Sequence, residues 1–167
     1  MNTRLCQIPL VASCALYMGL VVFNNLTDYG SNYQFVQHVL AMDTTFPGNA
    51  GMWRAINSPI VHHVFYASII LWEAATAVLL TLGAARMWAA RRAAAGRWHG
   101  ARSYANAGLT LGLLIWLLAF LAVGGEWFLM WQSSTWNGLT TAGRMFTVMG
   151  IILIFINLPE ATLTEQP

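Results

Sequence analysis

Residues 60–82 read IVHHVFYASIILWEAATAVLLTL, with one acidic side chain, Glu73, and neither arginine nor lysine. A hydrocarbon core about 30 Å thick is crossed by about 20 apolar helical residues, so this stretch has the length and character of a membrane span. Three further stretches share that character: Leu5–Asn24, Ala105–Trp131 and Leu139–Leu158. Across the 167 residues, hydrophobic side chains make up 57 % and charged ones only 8 %. Backbone groups in lipid must be satisfied within the protein, which leaves helices or closed barrels. Four long apolar runs do not supply the ten-residue alternating strands of a barrel. The expectation is an all-α, single-domain, four-helix transmembrane bundle.

Between the second and third spans, residues 84–104 carry Arg86, Arg91, Arg92, Arg97 and Arg102 and no acidic residue. Short basic loops stay on the cytoplasmic side. That rule, with Arg4 near the start, predicts both termini inside and a multi-pass protein of the inner (plasma) membrane. The arginines flank spans, so they argue for topology and contact with anionic lipid headgroups and against nucleic acid. Segment 25–59 then faces outward, with Asp28, Asp43 and only Arg54. At 35 residues it is too long for a plain connector. Phe35, Val36, Val39 and Leu40 recur at helical spacing after Ser31. The spacing predicts a short amphipathic helix within a folded extracytoplasmic cap.

Small residues mark packing seams: Gly108 and Gly112 on the third span, Ala15 and Gly19 on the first, Gly143 and Gly150 on the fourth. Such pairs let helices approach closely, within the bundle or between copies. Cys6 and Cys14 lie eight apart on one apolar helix, a spacing that suits neither a disulfide nor a zinc site.

Glu73 is the anomaly in the quoted stretch. It lies ten residues beyond His63, about 15 Å deeper along a helix. A carboxyl at that depth is costly and marks a functional hypothesis; the alternative is a structural glutamate bonded across helices. Tyr66 shares its face, and Tyr17 and Trp116 fall at similar depth on neighbouring spans.

A second group gathers toward the outer interface: His62, His63, Glu126 and Arg144, with His38 and Asp43 from the cap segment. Glu126 and Arg144 suit an ion pair. The histidines and carboxylates also suit a metal such as copper, iron or zinc, although adjacent histidines point about 100° apart on a helix. The Glu-x-x-His pairs of di-iron bundles are missing. The third and fourth spans hold no histidine, which argues against a bis-histidine haem. A quinone or quinol remains compatible with carboxylate, histidine and aromatic walls. Trp53, Trp127, Trp131 and Trp136 form the outer aromatic belt expected of a membrane protein.

The segments Asn24-Asn25-Leu26-Thr27-Asp28-Tyr29, Met42-Asp43-Thr44-Thr45-Phe46 and Gly124-Gly125-Glu126-Trp127-Phe128, with Met130-Trp131-Gln132-Ser133 and His62-His63 followed by Glu73, together resemble a bacterial family of small four-span integral membrane proteins of unknown function. The similarity runs from about Ile8 to Leu158. It implies the four-span architecture and carries over no activity or cofactor.

Three functional readings follow. The first is a non-catalytic accessory subunit of a larger respiratory or transport complex, with membrane lipids and other subunits, or further copies of itself, as partners. The second is a membrane redox, metal- or quinol-binding enzyme using the outer His/Glu group. The third is a proton-coupled carrier centred on Glu73.

Overall fold

The computed structural model describes residues 3–159. Its helices are α1 (Thr3–Thr27), α2 (Tyr29–Ala41), α3 (Pro59–Ala90), α4 (Ala95–Ala101), α5 (Ser103–Leu114) and α6 (Leu139–Asn157), and α5 runs on as a π-helix through Ile115–Trp127. Four helical stretches are long and apolar enough to cross a membrane: α1, α3, the rod Ala95–Trp127, and α6. The described residues contain no strand. The all-α four-helix bundle read from the sequence is therefore the observed fold. The chain termini themselves lie outside the described residues.

The central helix is α3, which packs against α1 on one side and α5 on the other. The closest approach is at Gly83, where a Cβ would sit 2.7 Å from the Cα of Ala105. One turn along, Gly108 meets Leu80, and Gly112 fits between Thr76 of α3 and Met149 of α6. The Gly108/Gly112 pair is thus consumed by packing within the chain. Gly19 and Gly143 differ: a Cβ at either would meet nothing within 4 Å. Leu16, Leu20, Leu71, Val78, Ile151 and Ile154 are exposed around the bundle, as expected of helices solvated by lipid.

At one end lie the arginines. Residues 84–104 are mostly helical and not a loop, because α3 continues to Ala90 and only 91–94 break the chain before α4. Arg102 is buried at 7 % exposure. Its guanidinium donates through Nη1 to the carbonyl of Ile156, and its Nη2 lies 2.6 Å from His99 Nδ1. Gln7 donates to the carbonyl of Phe155 at 3.0 Å. The Ile156 carbonyl near the end of α6 is thereby satisfied by a cation at the negative end of the helix dipole, and the Phe155 carbonyl gains a second donor beside Leu158 N. Arg4 donates to the carbonyl of Ala93 and covers the Trp98 ring at 5.0 Å. These two arginines stitch helix ends together in addition to any topological role. Arg92 and Arg97 are exposed.

The opposite end is capped. Helix α2 follows α1 after Asp28 and lies against α3. It begins at Tyr29, two residues before Ser31, and ends at Met42 in the left-handed region, φ 54°. The third span stops at Trp127, short of the Trp131 read from hydropathy, because the chain reverses at Leu129, also left-handed at φ 53°. That reversal turns Phe128 into a small apolar core with Leu40 and Met42. Polar bonds join the two connecting segments: Gln132 Oε1 accepts from Phe46 N at 3.0 Å, and the Thr44 and Ser133 hydroxyls lie 2.8 Å apart. Hydropathy sees Phe128–Trp131 as a continuation of the span, since it cannot register a burial that comes from a turn.

The burial of Arg102 generates a prediction. Arg102→Gln should lower stability in mild detergent by about 1.5–3 kcal/mol, the range for a charged hydrogen bond, while Arg92→Gln should stay within about 0.5 kcal/mol. Parallel denaturation curves of the two variants measure the difference.

Candidate functional site

The site is built where α1 ends against the middle of α3. Glu73 stands fourteen residues from Pro59, about 21 Å along α3 at 1.5 Å per residue. Glu73 is 3 % exposed and Asn25, near the end of α1, 6 %. Asn25 Nδ2 donates to Glu73 Oε2 at 2.6 Å. Asn25 Oδ1 accepts from Asn32 Nδ2 of α2 at 2.7 Å, and the Tyr66 hydroxyl donates to the Asn25 carbonyl at 3.4 Å. A buried carboxyl needs hydrogen-bond partners to be tolerated in an apolar interior. Asn25 supplies one, and α2 supports Asn25 from above.

These groups line one side of a part-open chamber of about 380 Å³ at the capped end of the bundle, where Asn24, Asn32, Asn137 and Thr141 are exposed. Its walls include Tyr17 and Asn24 of α1, Asn32 of α2, Tyr66 and Glu73 of α3, Trp116 and Phe120 of the π-helix, and Asn137 and Thr141 beside and within α6. Trp116 is 4 % exposed, and its indole Nε1 has no hydrogen-bond partner. No arginine, lysine or histidine lines the chamber. Tyr17 lies within electrostatic reach of both Glu73 and Arg144. The chamber therefore offers an acceptor at Glu73, the side-chain amides of Asn24, Asn32 and Asn137, and aromatic walls that include the Trp116 ring. That combination suits a small hydrogen-bonding molecule better than an anion.

The π-helix contributes to this geometry. Its i→i+5 bonding, closed at Phe128 N to Val123 O at 2.9 Å, widens the helix and resets which side chains share a face. Trp116 and Phe120, with ring centroids 5.0 Å apart, face the chamber together. Such windings cluster at functional sites. Nothing in the hydropathy of Ile115–Trp127 distinguishes it from an ordinary apolar α-helix.

Of the seven ligand or metal candidates read from the sequence, only Glu73 lines the chamber, joined by Tyr17, Tyr66 and Trp116, which the sequence placed near it. His62 is buried, and its Nε2 lies 2.7 Å from the carbonyl of Ile56, fixing the approach to α3. His63 lies 2.8 Å from the Tyr29 hydroxyl and stacks on Tyr33 at 4.3 Å, which docks α2 on α3. His38 pairs with Asp43 at 2.7 Å and stacks on Trp136 at 4.6 Å. Glu126 and Arg144 are exposed, and no ion pair joins them among the described residues; the carbonyl of Glu126 accepts from Arg54. Among the described residues no group of three or more His, Cys, Asp or Glu side chains is arranged to hold a metal ion.

Sequence reasoning missed Asn25, Asn32 and Asn137. The triplet Asn25-Leu26-Thr27 matches a glycosylation acceptor by chance only, in keeping with the burial of Asn25. The available signal was an amide at the end of an apolar span, in reach of the one buried acid.

The chain belongs to the family described as "Predicted small integral membrane protein (DUF2165)", whose model matches residues 3–159. No curated protein and no solved structure matches it.

The Asn25–Glu73 bond generates a second prediction. Asn25→Leu should cost about 1–3 kcal/mol, because it strands a buried polar group. Adding Glu73→Leu should recover much of that loss, giving a coupling of about 0.5–3 kcal/mol in a double-mutant cycle. Unfolding of the four proteins in one detergent reads it.

Proposed function

We propose that this family member is a membrane-embedded binding protein whose chamber takes a small polar ligand through Glu73. The observation that carries this reading is the Glu73 carboxyl, held by Asn25 on the wall of a chamber that is also lined by the amides of Asn24, Asn32 and Asn137. An intramembrane acid used only for packing has no need of an adjoining polar space. A carrier centred on Glu73 would use the same chamber, but it also needs access from both ends. The metal-centred reading of the outer histidines loses support, since His62 and His63 are engaged in holding the cap.

One observation favours the accessory-subunit reading alongside this one. Ala12, Ala15, Leu16, Gly19 and Leu20 of α1, with Thr81 and Ala84 of α3, form an open groove of about 400 Å³ on the outside of the bundle. Gly19 stands in it with no neighbour. Small residues of this kind admit the backbone of another helix, here a transmembrane helix of a larger respiratory or transport assembly. In the inner membrane, the positive-inside rule places the arginine end in the cytoplasm and the cap with its chamber on the other side.

Native mass spectrometry of the protein extracted from its own membrane tests the binding reading. The expected outcome is a fixed additional mass on the wild type that is missing from Glu73→Leu; identical mass spectra for the two would contradict it. In the same extracts, the accessory reading expects subunits of other masses to travel with the wild type and to be lost on Gly19→Leu, a change the bundle itself has room for. Wild-type protein without partners would contradict that second reading.

A further inference from the structure

A second cavity adjoins the chamber. It is an apolar groove of about 250 Å³ between α2, α3 and the π-helix, lined among others by Phe65, Ser68, Trp72, Leu118, Ala119 and Val123. Phe35, Val36, Ile69 and Phe120 line both cavities, so the groove and the chamber abut along these four residues. The Phe35 and Phe120 rings, with centroids 6.2 Å apart, form the threshold between them. Phe65, Ser68, Leu118 and Val123 are exposed on the side of the bundle, where the surrounding medium is lipid. The apolar groove thus runs from the hydrocarbon phase to the edge of the chamber. The two volumes together fall in the range of about 300–1,000 Å³ usual for small-molecule sites.

We infer that the ligand is an amphiphile of the quinone or quinol class, its oxygen-bearing ring in the chamber against Glu73 and Trp116 and its hydrocarbon tail in the groove. This inference rests on the binding role of the chamber and names its ligand. The chemistry of the walls selects the class. No cationic side chain lines the chamber, which leaves a phosphate headgroup without a partner for its charge. An alkyl-ammonium head would satisfy Glu73 but has no acceptor for the amide N–H groups of Asn24 and Asn137 on the chamber wall. A ring hydroxyl donates to Glu73, and a ring oxygen accepts from one of these amides. Tyr17, Tyr66, Trp116 and Phe120 provide the flat walls that a ring needs. The tail gains little from leaving lipid for an equally apolar groove. Its fit therefore places the head and adds little affinity, so the test must be positional.

The test uses the full-length protein in lipid nanodiscs and a decyl-benzoquinone carrying a diazirine at the tail end. Photolysis and peptide mapping read where the tail lies. The expected result is labelling concentrated on Phe65–Trp72 and Leu118–Val123. Excess unlabelled decyl-benzoquinone should displace that label, and Glu73→Leu should abolish it. Ala119→Phe and Ser68→Leu fill the groove from its two sides. Each should remove the groove label while leaving Glu73-dependent binding of a tail-less benzoquinone, measured by equilibrium dialysis, as the control for folding. Label spread evenly over the exposed faces of α1, α3 and α6 and not displaced by excess probe would mean bulk lipid only and overturn the inference. If the tail-less ring binds through Glu73 but the tail labels elsewhere, the groove assignment falls and the binding chamber stands. If decylamine binds through Glu73 and neither quinone does, the ligand class falls and the chamber stands. If no probe binds through Glu73, both fall.

Discussion

A carboxyl buried among apolar helices has to be hydrogen-bonded, and the capped end of this protein is organised around that requirement. Glu73 draws Asn25 to it, which fixes the end of α1 against the middle of α3. Asn25 in turn holds Asn32, which seats α2 over the junction. The stacked Tyr29, Tyr33 and His63 rings keep α2 in that place. Each step answers a polar group left unsatisfied by the one before. Because the partners come from three helices, the space between them cannot close like an ordinary apolar core, and a polar chamber remains. The other end is governed by a related rule, with Arg102 and Gln7 covering the carbonyls that end α6.

The fold was legible because lipid makes the code coarse. Four apolar runs of sufficient length leave little choice but four helices, and the run 60–82 with its single acid already marked both the central helix and its anomaly. Tyr17 and Trp116 could be grouped with Glu73 by depth, since depth follows residue count along a helix, and Tyr66 by its shared helix face. The amide partners were less accessible. Asn25 sits at a span end, where polar residues are ordinary, and only the tertiary contact reveals that α3 reaches past α1 and carries Glu73 up to meet it. The histidines misled for a different reason. His62 and His63 have the residue types of a ligand site, but their neighbours, the Ile56 carbonyl and the Tyr29 hydroxyl, are set by the folding of the cap. Left-handed Met42 and Leu129 and the long π-helix carry no composition signal at all.

Glycine distribution separates two kinds of surface that look alike in sequence. Gly83, Gly108 and Gly112 are pressed against neighbours and hold the bundle together. Gly19 has the same small-residue setting and touches nothing. The inner seam explains how α3 and α5 come close enough to bring the π-helix beside Glu73. The outer groove between α1 and α3 shares no lining residue with the chamber, so partner association and ligand binding need not compete for the same residues.

A binding role requires the Glu73 chamber to be an occupied polar site in the lipid-embedded protein. The direct measurement is electron cryomicroscopy of the protein in nanodiscs of its native lipids, enlarged by a rigid antibody fragment bound to the arginine end. The account predicts the Asn25–Glu73 contact intact and non-protein density between Glu73 and Trp116. A collapsed chamber, with Trp116 packed directly on Glu73 and Asn25 turned away, would contradict it.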